Sequence, residues 1–496
     1  MNLILANDVI LSALNSGSEG DQALSRVLTR AVEAGDEVWV YAGGARVLQD
    51  KAGPTAAGRL RDLLKDVQWL AACSGEGPLA FEPEGEWLQL AAGLERLPGV
   101  SKVLTLCPEW LKAYPDQTIS MDGYLSEPPV PAAMPFIDLH MQLREIRAGV
   151  EARIDRVLHH GQYILGPEIK EVEDDLAEYV GVKHAITVAS GTDALLIALM
   201  ALNIGPGDEV ITVPYTWIST AEVIALLRAR TVFVDIEPDT MNMNPDELAK
   251  AITPRTKAIM PVGIYGQCAD MTRINAIAEK HGIPVIEDAA QCFGATHYGK
   301  RSCGLSVIGC TSFFPTKPLG GYGDGGAVFT PDDRLAETMK QIRVHGQKVK
   351  HQHPIVGING RFDTLQAAVL IEKMRLFPAE CDLRRKVGER YNALLSGLPG
   401  VVTPKIAEGN TSVYAQYTLQ VEDPGAVGAR LKAAGIPSVS YYAVPLHLQG
   451  AFADLGYKRG DFPVAERVAS QGLSLPMSPY LKEEEQRRVA AAISAR

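Results

Sequence analysis

The segment TSFFPTKPLGGYGDGG, residues 311–326, places a single lysine, Lys317, in a rigid and apolar setting. Prolines stand at positions 315 and 318, and five glycines follow Leu319 before Ala327. Most lysines are solvated surface groups. Burial in surroundings of this kind lowers the pKa of an amine and makes it a competent nucleophile, while glycines let the backbone approach a ligand closely. The segment therefore predicts a ligand site with a reactive amine at its centre.

A second segment, VASGTDAL at residues 188–195, passes from a predicted strand through Gly191 and Thr192 into an apolar helix. The free N–H groups at a helix N-terminus, together with a nearby hydroxyl, can bind a phosphate. The same pattern is typical of an ordinary strand-to-helix turn that is capped by Ser or Thr. Taken alone, the segment favours that simpler interpretation.

A third segment, PVIEDAAQ at residues 284–291, is an apolar strand that carries Asp288 at its carboxyl end and Gln291 three residues later. A carboxylate at this place can pair with the protonated ring nitrogen of a pyridine cofactor. It can equally cap the following helix, and the segment alone leaves both interpretations open. Glu287 should point to the opposite face of the strand, so we assign it no role.

After residue 136, apolar strand-like runs alternate with helical stretches, which predicts an α/β fold with a mainly parallel sheet covered by helices. In such folds ligands bind at the carboxyl ends of the strands. From about residue 380 the pattern changes to longer helices with a few strands, which predicts a smaller α+β domain. The strand-like runs are HAITVA, DEVITV, TVFVDI, KAIMPV, PVIEDA, CTSFF and GGAVFT in the first part, and VYAQYTLQV and PSVSYYAV in the second.

The chain carries an extra N-terminal region ahead of this fold. Residues 126–135 contain four prolines and predict a linker. Before the linker, LILANDVIL, DEVWVY and SKVLTL predict strands and residues 20–35 an amphipathic helix, as in a small α/β domain. The predicted organisation is an N-terminal domain at 1–125, a linker at 126–135, a large ligand-binding domain at 136–380 and a small C-terminal domain at 381–496.

The composition argues against several classes of function. A net charge of -11 and a pI near 5.5 do not suit a surface that binds nucleic acid. The seven cysteines are odd in number and never form a CxxC pair, so we expect neither a disulfide framework nor a metal site. The N-terminus has no basic segment before its apolar residues, and no apolar run approaches the roughly 20 residues of a membrane span. We expect a cytoplasmic protein without a membrane partner.

The ordered motifs SGTDAL, ITVPYTW, YGQCAD, IEDAAQ, SFFPTKPLGGYGDGG and INGRFDTLQAA closely resemble those of the DegT family, the fold-type-I sugar aminotransferases that use pyridoxal 5'-phosphate (PLP). The resemblance runs from about Phe136 to the C-terminus. Within the family, the runs HGQYILGPE, GPGDEVIT, GKRSC and SVYAQYT are most similar to bacterial UDP-2-acetamido-2-deoxy-3-oxo-glucuronate 3-aminotransferases of O-antigen and lipopolysaccharide biosynthesis. The resemblance implies L-glutamate as amino donor, a nucleotide-sugar as acceptor, and the amine form of the cofactor, PMP, as intermediate.

The resemblance also implies roles for residues around the cofactor. Lys317 matches the Schiff-base lysine, which would also move the proton between carbon atoms. Asp288 matches the partner of the pyridine nitrogen, and Gln291 the residue near the phenolic oxygen. The residues that match the phosphate cradle are Gly191, Thr192 and Ser312.

Further residues match positions at the edge of the site. Trp217 in PYTW matches the aromatic side chain that stacks on the cofactor ring, although it could also be a core residue. Asn359 matches the residue that reaches the cofactor phosphate of a neighbouring subunit, which implies a homodimer with composite sites. Arg361 matches a place at the substrate entrance, although a simple ion pair would explain it nearly as well.

The chain departs from the family pattern in the segment SYYAVPL, residues 440–446. Many relatives have a histidine where Tyr441 stands, and this change bears on the sugar substrate rather than on the cofactor chemistry. His447 follows the segment, and we expect it to be either structural or a contact at the substrate rim.

The first strand of the N-terminal region faintly resembles that of PIN-type nuclease domains, whose carboxylates bind Mg²⁺. In the alignment that fits the apolar pattern, Ala6 takes the place of the first aspartate and Asp8 stands at a neighbouring asparagine position. The resemblance implies a degenerate, non-catalytic module for oligomer contact or partner binding.

Three competing functions remain to be weighed. A sugar dehydratase of the same family would have histidine in place of Lys317. A nuclease, RNA-binding or protein-binding fusion would give the N-terminal domain the main role, against which the acidic composition and Ala6 speak. A sensory protein that holds PLP without turnover would not need the complete set of lysine, aspartate and phosphate-binding residues.

Overall fold

The computed structural model describes residues 134–494 and, in the N-terminal region, five strands between residues 2 and 120. The chain divides into two compact units, Met1–Ala132 and Ala133–Arg496. The division lies inside the Pro-rich segment 126–135.

The N-terminal unit contains a five-stranded, all-parallel sheet with the strand order β3-β2-β1-β4-β5. Each of the three predicted strand segments overlaps one of its strands, and β3 and β5 were not predicted. The predicted helix at 20–35 and the positions Ala6 and Asp8 lie outside the described residues. The strands are β1 (Asn2–Leu5), β2 (Glu37–Tyr41), β3 (Gln68–Leu70), β4 (Val100–Thr105) and β5 (Thr118–Ser120).

The large domain is built on two hydrogen-bonded sheets, β8-β7-β9 and β10-β13-β14-β6. Parallel bridges from Ile259 to Val285 and from Val262 to Asp288 join them edge to edge. Only β14 runs against its neighbours, so the predicted mainly parallel sheet is confirmed. The strands are β6 (His184–Val188), β7 (Glu209–Thr212), β8 (Arg230–Phe233), β9 (Thr256–Ile259), β10 (Ile286–Asp288), the hairpin β11 (Thr296–His297) and β12 (Lys300–Arg301), β13 (Ile308–Ser312) and β14 (Gly326–Thr330).

Helices cover the sheet, and their ends follow local sequence signals. Asp270 and Asp332 accept hydrogen bonds from N–H groups in the first turns of their helices. The helix that Asp270 caps ends at Gly282, and another ends at Gly181, both glycines in the left-handed conformation. The helices of the large domain are α1 (His140–His160), α2 (Pro167–Val180), α3 (Gly191–Ala201), α4 (Ser219–Leu226), α5 (Pro245–Ala251), α6 (Met271–His281) and α7 (Asp333–Arg343).

The hydrophobic core lies between the sheet and these helices. Strands β6 and β7 contribute almost only buried residues, as expected for strands that are covered on both faces. Helix α3 is buried along most of its length, with Leu195, Ile197 and Leu199 packed against the sheet. The core therefore holds the N-terminus of α3 and the carboxyl ends of the strands in fixed positions.

The small domain contains the antiparallel sheet β15-β16-β17 and the second half of a long helix, α8. Helix α8 has 32 residues and runs through the predicted domain boundary at 380/381. None of the helices in the described part of the chain is both long and apolar enough to cross a bilayer. The elements are α8 (Thr364–Leu395), β15 (Val401–Val402), β16 (Tyr417–Val421), α9 (Pro424–Ala433), α10 (Pro463–Gln471), β17 (Gly472–Leu475) and α11 (Glu483–Ser494).

One predicted strand of the small domain is wrong. Within PSVSYYAV, only Val439 pairs with another chain segment, through a bridge to Ser474, and residues 441–442 form a turn. The reason is the backbone of Tyr442, whose φ of 57° is left-handed and incompatible with a strand.

Candidate active site

The start of helix α3 lies directly against the end of strand β13. A Cβ atom on Gly191 would be 2.6 Å from the Cβ of Ser312, closer than real Cβ atoms approach one another. Only glycine therefore permits this contact, which places the free N–H groups of the helix beside the Ser312 hydroxyl. The structure thus brings together two segments that are separated by 120 residues in sequence.

Thr192, the second residue of helix α3, follows Gly191 at this contact. Its hydroxyl forms a 2.7 Å hydrogen bond with the hydroxyl of Ser219, which in turn donates to Glu222. Ser190 accepts a hydrogen bond from the Asp193 N–H and caps the helix. Helix capping and anion binding are therefore compatible interpretations of this segment. Ser190 caps the helix, and Gly191, Thr192 and Ser312 remain available to an anion.

Lys317 lies in a tight loop after β13. The loop folds back on itself, since the Gly321 N–H donates to the Phe313 carbonyl at 2.7 Å and a Cβ on Gly320 would be 2.4 Å from the Pro315 carbonyl oxygen. Lys317 is partly buried, and burial lowers the pKa of its amine although the Asp288 carboxylate opposes this change. The amine is thus more available as a nucleophile than that of a solvated lysine.

Asp288 ends strand β10 and is buried. Its Oδ2 atom accepts a 2.8 Å hydrogen bond from the Thr220 hydroxyl, and its Oδ1 atom accepts one of 3.2 Å from the Ala290 N–H. Burial raises the pKa of the carboxyl group, while these two donors and the charge of Lys317 lower it. A cation placed beside Asp288 would therefore meet a carboxylate that has little water to screen it.

Gln291 is held by two contacts. Its Oε1 atom accepts a 3.0 Å hydrogen bond from the backbone N–H of Tyr265, and its Nε2 atom donates to the Tyr442 hydroxyl at 2.7 Å. Tyr265 and Tyr215 join through their hydroxyl groups at 2.7 Å. The amide of Gln291 thus lies at the edge of a cluster of three tyrosines.

Glu287 lies on the other face of β10, as its place beside Asp288 predicts. Its Oε2 atom accepts a 2.7 Å hydrogen bond from the Cys303 N–H. Burial raises the pKa of Glu287 to about 8. Its carboxyl group lies beside the thiols of Cys268 and Cys292, beneath the sheet.

Three predicted residues lie at the surface around this site. Trp217 is 61% exposed and is therefore not a core residue. Asn359 is exposed, and its backbone pairs with Val344. Arg361 is partly buried, and among the described residues it forms no ion pair and its Nε atom has no hydrogen-bond partner. The ion-pair explanation for Arg361 thus has no support in the structure.

The two predicted residues of the small domain have different environments. Tyr441 is partly buried, with its ring 6.1 Å from that of Phe136. His447 is buried, packs edge-on against Phe462 and lies 3.1 Å from Glu466 through its Nε2 atom. Of the two roles that the sequence left open for His447, this position fits the structural one, and the structure does not bring the side chain to the substrate rim.

Sequence reasoning missed four residues of the site, namely Ser219, Thr220, Tyr265 and Tyr442. Ser219 and Thr220 follow the PYTW motif within three residues, so their hydroxyls offered a signal. Tyr265 begins the YGQCAD motif and Tyr442 lies in SYYAVPL, but neither segment indicated a contact with Gln291, which is 26 and 151 residues away.

The donor set suits a phosphorylated pyridine cofactor. The cradle at Gly191, Thr192 and Ser312 presents N–H and O–H groups, which an anion requires. Asp288 can pair with a ring N–H, and Lys317 supplies an amine of lowered pKa.

Comparisons with known proteins agree with this chemistry. A 3-oxo-sugar enzyme from Pseudomonas aeruginosa, UDP-2-acetamido-2-deoxy-3-oxo-D-glucuronate aminotransferase, is 54% identical over 359 residues, which cover 72% of this chain and 99% of that protein. UDP-N-acetyl-3-dehydro-alpha-D-glucosamine 3-aminotransferase of Acidithiobacillus ferrooxidans is 42% identical and covers 73% and 97%.

Solved structures agree as well. The DesV protein of S. venezuelae, in complex with a ketimine intermediate, is 40% identical with a TM-score of 0.72 and covers 73% of this chain and 97% of that one. An aminotransferase from Brucella abortus is 44% identical with a TM-score of 0.70 and covers 73% and 98%. Residues 144–494 match the DegT/DnrJ/EryC1/StrS aminotransferase family. The chain therefore belongs to this family of fold-type-I, PLP-dependent aminotransferases.

Proposed function

We propose that the protein transfers an amino group from L-glutamate to the ketone of a nucleotide-sugar, with the C3 ketone of a UDP-2-acetamido-3-keto uronic acid as the first candidate. The observation that carries the proposal is the Lys317 amine, whose pKa responds to the Asp288 carboxylate, at the same end of the sheet as the Gly191 cradle, in a chain that is 54% identical to an aminotransferase named for that substrate. Other relatives are named for dTDP-linked amino sugars, so the nucleotide belongs to the proposal.

We assign the cofactor-binding roles as follows. Gly191, Thr192 and Ser312 hold the phosphate, because together they offer helix N–H groups and hydroxyls. Asp288 holds the pyridine nitrogen in its protonated form, which makes the bound ring an electron sink for the bond that is broken next to the amine. Trp217 covers one face of the ring, in agreement with its exposed side chain.

Lys317 is the residue that moves the proton. Its amine would hold the cofactor through its carbonyl carbon, and burial, which lowers the pKa of the amine, favours the form that accepts a proton. As the amine at the centre of the site, Lys317 would both take up the proton of the amino donor and give it back. One residue can thereby serve both half-reactions.

The substrate enters from the exposed side. Within the described part of the chain, the Nε atom of Arg361 has no hydrogen-bond partner, which suits a carboxylate or phosphate of the substrate. Tyr441 is partly buried beside Phe136 and replaces the histidine of many relatives, so we assign it to the sugar or nucleotide. His447 is omitted from this set because it is buried against Phe462.

We further propose a homodimer in which Asn359 completes the site of the partner subunit. Large apolar side chains remain exposed near the lysine loop and the start of α8, as is typical of an interface. They are Tyr163, Ile164, Leu165, Phe314, Tyr322 and Val356.

Mixing two inactive variants tests the dimer. If Asn359 serves the partner, equal amounts of Lys317→Ala and Asn359→Ala chains, unfolded and refolded together, recover up to about a quarter of wild-type activity, because half of the dimers hold one intact site. No recovery above the separate variants would refute the shared site.

The spectrum of the purified protein tests the proposed reaction. With PLP bound, the wild type should show a visible band that L-glutamate removes and the UDP-linked 3-keto sugar restores. Lys317→Ala should show neither change, while Lys300→Ala, at an exposed lysine, should behave like the wild type. If glutamate removes the band but the keto-sugar does not restore it, the protein is still an aminotransferase, and the proposed acceptor sugar is refuted.

The N-terminal domain and the cellular setting complete the proposal. The relative from P. aeruginosa is matched over 99% of its length by this chain without the N-terminal unit, so we assign that unit to oligomer contact or partner binding. A truncation after residue 132 that left both assembly and turnover unchanged would argue against this role. The five cysteines that the structure describes are free thiols, which supports a cytoplasmic setting for surface polysaccharide biosynthesis.

A further inference from the structure

The amide group of Gln291 has one defined orientation. The backbone N–H of Tyr265 can only donate, so the atom that accepts from it must be the amide oxygen. The Nε2 atom therefore faces the Tyr442 hydroxyl, to which it donates at 2.7 Å. One of the two amide hydrogens is used in this way, and the second is free for another acceptor.

Tyr442 is itself fixed in place. Its φ of 57° is rare for a large side chain and persists only where the surroundings determine it. Its ring packs 5.7 Å from the ring of Tyr215 and 6.0 Å from that of Tyr265. On either side of the turn, Val439 exchanges hydrogen bonds with Ser474, and the Leu446 N–H donates to the Pro214 carbonyl.

Among the residues that the structure describes, Gln291 is the only hydrogen-bond partner of the Tyr442 hydroxyl. Burial raises the pKa of this phenol, so it stays neutral at any working pH. A strained turn thus presents a neutral oxygen to a single side chain next to Asp288.

We propose that Tyr442 is a positioning residue that directs the second amide hydrogen of Gln291 toward the ring oxygen of the bound cofactor. The inference rests on the proposed role of Gln291. A donor to that oxygen stabilises its negative charge, and the stabilisation is largest when no neighbouring proton shares the charge. Tyr442 would thereby lower the pH at which the bound cofactor loses its proton, acting through Gln291 from its place in the C-terminal part of the chain.

The proposal makes the visible spectrum of Tyr442→Phe the decisive measurement. Removal of the hydroxyl frees Gln291 Nε2 to rotate, so the hydrogen bond to the ring oxygen is weakened. The pH midpoint of the visible band should then rise by about one unit, because losing one hydrogen bond to a charged group shifts a pKa by about that much. Tyr265→Phe is the matched control, because it removes a hydroxyl of the same cluster and keeps the backbone N–H that binds Gln291. It should lower the melting temperature and leave the midpoint unchanged.

A second set of variants, made in Gln291→Leu, distinguishes an effect of Tyr442 through Gln291 from a direct effect of Tyr442 on the cofactor. In Gln291→Leu, the midpoint should already be raised, and adding Tyr442→Phe should move it no further. A further shift in the double variant would overturn the proposal, as would an unchanged midpoint in Tyr442→Phe or an equal shift in Tyr265→Phe. Absence of a visible band in the wild type would instead refute the proposed cofactor site, and the inference with it.

Discussion

The hydroxyl of Thr220 donates a 2.8 Å hydrogen bond to Oδ2 of Asp288, so the first turn of α4 holds the carboxylate at the end of β10. This bond counteracts the burial that raises the pKa of Asp288. We expect Thr220→Val to reduce kcat about tenfold, because a hydrogen bond to a charged group is worth about 1.5–3 kcal/mol. Steady-state kinetics with saturating PLP would measure the change.

Thr212→Val is the matched control for this substitution. Thr212 is buried and donates to the Met260 carbonyl at 2.8 Å, away from the carboxylate. It should lower the melting temperature with little effect on kcat. Equal losses of activity in both variants would assign Thr220 to stability alone.

The close contact between Gly191 and Ser312 leads to a prediction about cofactor affinity. In Gly191→Ala the new Cβ would be 2.6 Å from Ser312, so one of the two must move at a cost of about 1–3 kcal/mol. We expect the Kd for PLP to rise about 10- to 100-fold, as followed by fluorescence titration. Gly205→Ala, where a Cβ meets nothing within 4 Å, should bind PLP like the wild type. An unchanged Kd for PLP in Gly191→Ala would show that the phosphate does not bind at Gly191.

Arg361, whose Nε atom has no hydrogen-bond partner among the residues that the structure describes, leads to a prediction about the acceptor half-reaction. Arg361→Ala should raise KM for the nucleotide-sugar about 10- to 100-fold, the value of a charged hydrogen bond. The rate at which glutamate bleaches the visible band should stay the same. Arg334→Ala, on the exposed face of α7, serves as control. A slowed glutamate reaction would place Arg361 at the amino donor instead.

The buried carboxyl of Glu287 leads to a prediction about stability. Its pKa of about 8 lies above the ordinary 4.5, so between these values the folded protein holds a proton that the unfolded chain has lost. The stabilisation is complete below pH 4.5 and is lost as the pH rises through 8, with a slope near 1.4 kcal/mol per unit.

Glu287→Gln removes this slope, because the amide does not titrate. Relative to the wild type, the variant should gain stability between pH 5 and pH 8, by up to about 4 kcal/mol. Denaturant unfolding at each pH would measure it, with the exposed Glu178→Gln as control. A difference that does not depend on pH would show that Glu287 is charged in the folded protein.

The sequence predicted those parts of the site that lie within short segments. Lys317 stands in a motif whose composition indicates a reactive amine, whereas the roles of Asp288 and Gly191 came from the resemblance to the family. The structure brings all three motifs to one end of the sheet. The pairing of Thr220 with Asp288, 68 residues away, and that of Tyr442 with Gln291, 151 residues away, could not be predicted. Such pairings depend on how the chain folds and leave no local pattern.

The error at the level of secondary structure has a similar origin. PSVSYYAV has the composition of a strand, yet packing against Tyr215 and Tyr265 imposes a turn at Tyr442. Helix α8 likewise continues through Pro378, where the sequence pattern changes, because both of its halves are held by packing. Tertiary contacts override local propensity in both places.

Helix α8 has a mechanical consequence. Its first turn holds the lysine loop, since Gln366 accepts a 2.8 Å hydrogen bond from the Tyr322 N–H, and its last turns lie in the core of the small domain. With 32 residues it is a rod about 48 Å long. Because an α-helix does not stretch, α8 sets a fixed separation between the lysine loop and the core of the small domain. Insertion of one residue within the helix would turn everything beyond it by about 100° and so change how the two ends face each other.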